Sequence, residues 1–313
     1  MQIAQGLVIK STGSFYKVLD TSNQIREAVL SGKIRLENRK STNPVCVGDH
    51  VDMITEGNQY VITKIHPRKN YIIRQSNNLS KITHIIASNL DQAILLVTFS
   101  VPFTPQGFID RFLITCEAYR IPAIVVVNKC DLHDEEMDQQ TDYILGIYKN
   151  AGYTCLKISC LKKTGIKELK ELLKNKITLI SGNSGTGKSS LIKELIPGIT
   201  IKVAPVSYKH LKGKHTTTFA EMYPLEVGGF IIDTPGIKDL GLVEMKPEEV
   251  GHYFPEIRRF MNECRFNNCT HDHEPDCVVR KKVKEGIISE ERFRSYLQII
   301  HGEEMEWEPW KLK

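Results

Sequence analysis

Apolar and polar positions alternate through the first 66 residues in short runs broken by turn residues. The pattern predicts strands over Ala4–Lys10, Ser14–Leu19, Ala28–Glu37, Val45–Ile54 and Gln59–Ile65, with Gly13, Gly32, Gly48-Asp49 and Gly57-Asn58 turning the chain between them. Five strands in about 65 residues predict a small closed all-β barrel of the OB type, an architecture common among nucleic-acid binders. An SH3-like barrel has the same alternation, so the pattern alone leaves both open. His66-Pro67-Arg68-Lys69 reads as a linker.

From residue 82 onward the period changes. Strand-length apolar runs at Ala93–Phe99, Ala123–Asn128, Cys155–Ser159, Ile177–Ser181 and Phe230–Asp233 alternate with helical spacing at Phe108–Tyr119, Asp138–Ala151, Ile166–Leu173 and Lys188–Leu195. Apolar strands joined by helical crossovers predict a central α/β domain, its parallel sheet covered on both faces. Residues 246–313 read as mostly helical around a Cys/His cluster. The expected division is a barrel over 1–66, an α/β domain over 67–242 and a mostly α, metal-binding domain over 243–313. Length by itself, at roughly 150 residues per domain, suggests about two.

Composition narrows the class. With 41% hydrophobic and 25% charged residues the chain is an ordinary globular protein. Its longest apolar runs are strand-length, and Met1–Gln5 lacks the basic region and apolar core of a signal peptide. A soluble cytoplasmic protein without a membrane partner is expected. The net charge of +5 is unevenly placed, +6 over residues 1–81 and −3 over 241–313, which hints at a polyanion met at the N-terminal end. Of eight cysteines, Cys46, Cys116, Cys130, Cys155 and Cys160 are scattered, while Cys264, Cys269 and Cys277 crowd beside two histidines. That distribution points to metal chemistry rather than a disulfide framework.

Gly182-Asn183-Ser184-Gly185-Thr186-Gly187-Lys188-Ser189 matches G-x-x-x-x-G-K-[ST] between a strand and a helix. Backbone N–H groups and the helix N-terminus suit phosphate there, Lys188 reaches the β- and γ-phosphates, and Ser189 offers its hydroxyl to Mg²⁺. Ser190, next along the helix, is counted with the nucleotide-binding positions. Asn128-Lys129-Cys130-Asp131 closes an apolar strand. A carboxylate at Asp131 accepts hydrogen bonds from guanine N1–H and its 2-amino group, donors that adenine does not present together. Asn128 is expected at the N7 edge, the Lys129 stem along the ring, and a backbone N–H of Ser159-Cys160 at O6. Asp233-Thr234-Pro235-Gly236 supplies a water-mediated Mg²⁺ carboxylate and, at Gly236, an N–H for the γ-phosphate. Within Gly213-Lys214-His215-Thr216-Thr217-Thr218, one threonine joins Mg²⁺, with Thr217 favoured.

These are GTPase parts in an unusual order, because Asn128 precedes Gly182 by 54 residues. Circular permutation explains this while keeping every strand-end loop on one edge of the sheet. After Gly236 stands Ile237, which cannot orient water as the glutamine of many GTPases does. His215 is the candidate catalytic residue in its stead, with Lys188 and Gly236. Cys264-x₄-Cys269-x-His271-x₅-Cys277 offers a closed Cys₃His set for one structural zinc, with His273 a competing imidazole. Arg280-Lys281-Lys282-Val283-Lys284 is a basic helical run, a solvated surface or a phosphate contact.

The motifs in this order, with the barrel ahead of them, resemble the ribosome small-subunit-dependent GTPase A family (RsgA, also called YjeQ) over essentially the whole chain. The resemblance implies a GTPase acting late in 30S maturation and activated by that subunit, with barrel and zinc domain on 16S rRNA. The family's loop histidine falls on His215 and its zinc ligands on Cys264, Cys269, His271 and Cys277. A monomer that binds no DNA is expected, with one Zn²⁺, and Mg²⁺ accompanying GTP. The alternative is a GTP-regulated rRNA-binding module in which hydrolysis is incidental.

Overall fold

The computed structural model describes residues 3–37, 44–74, 84–199, 220–233 and 245–302. The barrel strands are β1 (Ala4–Ser11), β2 (Tyr16–Asp20), β3 (Ile25–Leu30), β4 (His50–Glu56) and β5 (Gln59–Ile65), with α1 (Gly32–Glu37) between β3 and β4. A hairpin of β6 (Tyr71–Arg74) and β7 (His84–Ser88) follows. Next come β8 (Gln92–Val97), α2 (Gln106–Ala118), β9 (Ala123–Val127), α3 (Glu135–Ala151) and β10 (Thr154–Lys157). After them are α4 (Ile166–Leu173), β11 (Lys176–Gly182), α5 (Lys188–Leu195), β12 (Glu221–Pro224) and β13 (Gly229–Asp233). The last described part holds α6 (Pro247–Val250), α7 (Pro255–Arg258), α8 (Val278–Lys284) and α9 (Glu290–His301).

The chain packs as two compact units that do not follow chain order: Met1–Ile94 with Ile166–Gly241, and Leu95–Gly165 with Leu242–Lys313. In the first, the barrel closes in the order β1-β2-β3-β5-β4-β1, with β3 and β5 parallel. This is OB connectivity. Alternation turns Val8, Val18, Val51, Met53 and Ile62 inward to a core shared with Tyr16 and Ile34. The strand expected over Ala28–Glu37 ends at Leu30 and continues as α1. Its apolar positions mimic a strand, but Ser31 O accepts Arg35 N–H at 3.2 Å and buried Ile34 joins the barrel core.

The expected strand over Val45–Ile54 likewise begins only at His50. Before it, the buried Asp49 carboxylate gathers Cys46 N–H at 2.9 Å, Ser88 Oγ at 2.6 Å and the Arg68 guanidinium through two contacts of 2.7 Å. Gly48 has φ +94°, and a Cβ there would fall 2.0 Å from Ser88 O. The segment His66–Lys69, expected as a linker, is therefore pinned, because Arg68 is the cation that neutralises Asp49. On the other side of this unit, β11 pairs in parallel with β13, β13 antiparallel with β12, and β12 with barrel strand β1.

In the second unit β9 lies between β8 and β10, pairs in parallel with β10, and is buried from Ile124 to Val127. Helix α3 carries Glu135, Glu136 and Asp138 in its first turn, and Asp134 caps it by accepting Met137 N–H at 2.8 Å. The C-terminal helices and the segments joining them pack Val250, Phe254, Ile257, Val279, Ile288 and Tyr296 with Ile114 of α2. Arg292 of α9 is 1% exposed, bonded to Asp110 of α2 and Glu256 of α7, with its guanidinium 4.5 Å from the Phe254 ring centre.

Candidate functional site

Strand β11 runs into the phosphate loop at Gly182, and α5 begins at Lys188. Gly185 and Gly187 take φ +87° and +93°, which is what lets the loop double back. The buried Thr186 donates both its N–H, at 3.3 Å, and its hydroxyl, at 2.9 Å, to Asn183 O, closing the turn. The parallel register sets Asp233 beside Ile180, so the carboxylate stands at the strand end next to the loop. Burial lowers the Lys188 ammonium and raises the Asp233 carboxyl, while the attraction between them opposes both shifts. Asp233 Oδ1 is buried and has no hydrogen-bond partner among the described residues. Gly182, Asn183, Ser184, Ser189 and Ser190 complete the expected phosphate segment, with Ser184 and Ser190 exposed.

The residues expected to read the base sit together in the other unit. Asn128 is buried at the end of β9 and donates its N–H to Val97 O at 2.9 Å. Its Oδ1 accepts the Cys160 N–H at 3.2 Å, so that donor, expected at guanine O6, is engaged here by the asparagine. Ser159 Oγ bonds the Asp131 carboxylate and accepts Lys162 N–H at 3.0 Å, orienting the acid. Lys129 adopts left-handed φ +65° and donates its Nζ to Val101 O at 2.8 Å. That carbonyl lies in the 98–105 loop and had no signal in the sequence.

The Cys/His cluster is also assembled. Donor atoms of Cys264, Cys269, His271 and Cys277 lie within 4.8 Å of one another, so the four side chains can hold one metal ion. Cys264 Sγ to Cys277 Sγ is 3.9 Å, and His271 Nδ1 is 3.6 Å and 3.4 Å from those two sulfurs. A tetrahedron with zinc–thiolate bonds of about 2.3 Å has edges of about 3.8 Å, so the donor set fits. His271 is buried with φ +62°, whereas the His273 side chain is 83% exposed beside Asp272. Burial, then repulsion from the neighbouring thiols, pushes the Cys269 thiol up to about 12, a cost that a bound cation removes. Burial likewise pushes Cys46, Cys130 and Cys155 up to about 12, 11 and 12, which leaves them inert, and all eight cysteines are free thiols. His215, Thr216, Thr217, Thr218, Gly236 and Ile237 lie outside the described residues.

A phosphate loop with an adjacent strand-end carboxylate, and an N-K-x-D loop earlier in the chain, define a circularly permuted P-loop GTPase. Comparison with known proteins gives the family. The RsgA GTPase family model matches residues 65–243, and the RsgA N-terminal domain model matches residues 5–61. The small ribosomal subunit biogenesis GTPase RsgA of Bacteroides fragilis is 50% identical over 302 residues, 96% of this chain and 97% of that protein. The protein of the same name from Flavobacterium psychrophilum is 48% identical over 303 residues, 96% of this chain and 93% of its own. The crystal structure of YjeQ from Thermotoga maritima superposes with TM-score 0.79 at 33% identity, covering 96% of this chain and 98% of that one. YloQ, described as a circularly permuted GTPase, superposes with TM-score 0.75 at 26% identity over 98% of each chain. The chain belongs to the RsgA family of GTPases, and it is a GTP hydrolase.

Such a GTPase uses Mg²⁺ with its nucleotide. The buried Asp233 oxygen, without a partner among the described residues, suits a hydrated cation. Among the described residues no helix is long and apolar enough to cross a membrane.

Proposed function

We propose that this GTPase is a nucleotide-dependent switch in late maturation of the small (30S) ribosomal subunit, and that the subunit activates it. Two supports carry the reading: names and near-full coverage of the relatives, and two motif loops whose geometry is fixed by bonds of the buried Ser159 and Thr186. In the proposed division of labour, residues 1–66 and 243–313 contact 16S rRNA and residues 67–242 bind GTP. The protein acts as a cytoplasmic monomer, without DNA or membrane.

Gly182, Asn183, Ser184, Gly185, Thr186, Gly187, Lys188, Ser189 and Ser190 take the phosphates. Asn128, Lys129, Asp131, Ser159 and Cys160 take the guanine. Ser189, Thr217 and Asp233 hold Mg²⁺, which neutralises charge on the β- and γ-phosphates when bound. Lys188 and the Gly236 N–H stabilise the γ-phosphate, and His215 replaces the water-orienting glutamine. Cys264, Cys269, His271 and Cys277 hold one structural Zn²⁺, which leaves no ligand position open for catalysis.

The test is hydrolysis of GTP and of ATP, each with and without purified 30S subunits. Stimulation confined to GTP and to 30S is expected. Equal rates with 30S, 50S and no subunit would overturn the switch.

A further inference from the structure

Three charged residues of the first unit stand in one row across the sheet. Register pairs Lys10 of β1 with Glu221 of β12, and Glu221 with Asp233 of β13. Directly opposed residues of antiparallel strands project to the same face with Cβ atoms about 4.5–5.5 Å apart. Glu221 therefore stands beside Asp233, and on its other flank Lys10 Nζ lies 3.1 Å from both Glu221 carboxylate oxygens. Tyr223, two residues on, donates its hydroxyl to Glu221 Oε2 at 3.1 Å, which fixes that carboxylate further.

Two acids directly opposite each other destabilise a sheet unless cations offset them. Lys10 does this for Glu221, while Lys188 attracts Asp233. Yet Asp233, only 7% exposed, keeps one carboxylate oxygen without a partner among the described residues. An unpartnered buried oxygen beside a second, fixed carboxylate is an arrangement for a hydrated divalent cation.

We propose that Glu221 is a positioning residue for the cation held at Asp233, and that Lys10 of the barrel sets how much of the Glu221 charge that cation feels. The inference rests on Asp233 as the Mg²⁺ carboxylate of the proposed function. Glu221 acts through space and through water, not as a direct ligand. Because Lys10 and Glu221 are each about one-third exposed, solvent screens the effect. A change of about three- to tenfold in Mg²⁺ affinity is the expected scale. The barrel thereby supplies one of the charges that tune the nucleotide site.

The test measures the release rate of a fluorescent GDP analogue from the full chain against free Mg²⁺ at constant ionic strength. Glu221→Gln should raise the half-saturating Mg²⁺ concentration about three- to tenfold, and Lys10→Met should lower it by a similar factor. Lys10→Arg should match wild type, and the double variant should follow Glu221→Gln. Opposite signs for the two single variants separate this role from a structural one, which moves both the same way. Shifts of the same sign, or no shift in Glu221→Gln, overturn the inference. If Lys10→Met melts early, Glu221→Gln and Lys10→Arg decide alone. Asp233→Asn with unaltered Mg²⁺ dependence would overturn the underlying assignment of Asp233 instead.

Discussion

The side-chain oxygen of Asn128 accepts the backbone N–H of Cys160 at 3.2 Å, tying the end of β9 to the segment that follows β10. A parallel bond from Ser159 Oγ steadies Asp131. The carboxylate proposed to read guanine is therefore held by a neighbouring loop, so its removal should cost selectivity more than folding.

Asp131→Asn is expected to reduce the preference for GTP over ATP by about two orders of magnitude or more, since an amide donor then faces guanine donors. Lys188→Ala should abolish detectable nucleotide binding at micromolar concentrations. Fluorescent-nucleotide titrations of both variants check this. Undiminished GTP selectivity in the first would falsify the base-reading role.

Metal removal should act on stability before chemistry. Zinc held by three thiolates and an imidazole contributes on the order of 10 kcal/mol to the segment it folds. His271→Ala and Cys277→Ser should each lose the metal and melt the C-terminal helices, whereas His273→Ala should keep one ion per chain. Metal content by mass spectrometry, together with thermal melts, gives the answer.

Arg292 is the buried cation between Asp110 and Glu256. Arg292→Met leaves two carboxylates uncompensated and should destabilise the second unit by about 3–5 kcal/mol at pH 8. Burial already raises the Asp110 carboxyl in the native protein, with Arg292 opposing that shift. With the arginine gone, the folded-state value rises further above the unfolded one. The folded variant then binds the extra proton, so its stability should recover as pH falls toward 5 and be lost again as pH rises. Urea midpoints at pH 5 and 8 for variant and wild type test the sign.

At the barrel's base, Gly48→Ala should be among the most damaging single-methyl changes. It combines a left-handed φ with a Cβ 2.0 Å from a backbone oxygen. A loss of about 2–4 kcal/mol is expected, reported by urea unfolding followed at barrel residues. Gly57→Ala, at φ +60° with open space around it, should cost about 1 kcal/mol.

Helices α4 and α5 start and stop where their spacing predicts, because each carries its own apolar stripe and, for α5, its own glycine entry. The barrel's strand count was legible for the same reason, while α1 and the Val45–Asp49 turn were not. Leu30 onward alternates like a strand, and only the barrel end that Ile34 fills makes a helical turn the better burial. Arg68 read as linker because nothing near it in sequence marks Asp49 as its buried partner.

The motifs, their order and hence the GTPase chemistry were determined by the sequence itself, since each is a run of neighbouring residues whose spacing carries its geometry. Tertiary structure decided which imidazole meets the thiolates, which cation neutralises Asp49, and which acid stands beside Asp233. Those partners lie as far apart as Lys10 and Glu221, 211 residues along the chain, or Asp110 and Arg292, 182 residues along it. Strand register and buried charge bring such pairs together, and both are properties of packing that no local pattern records.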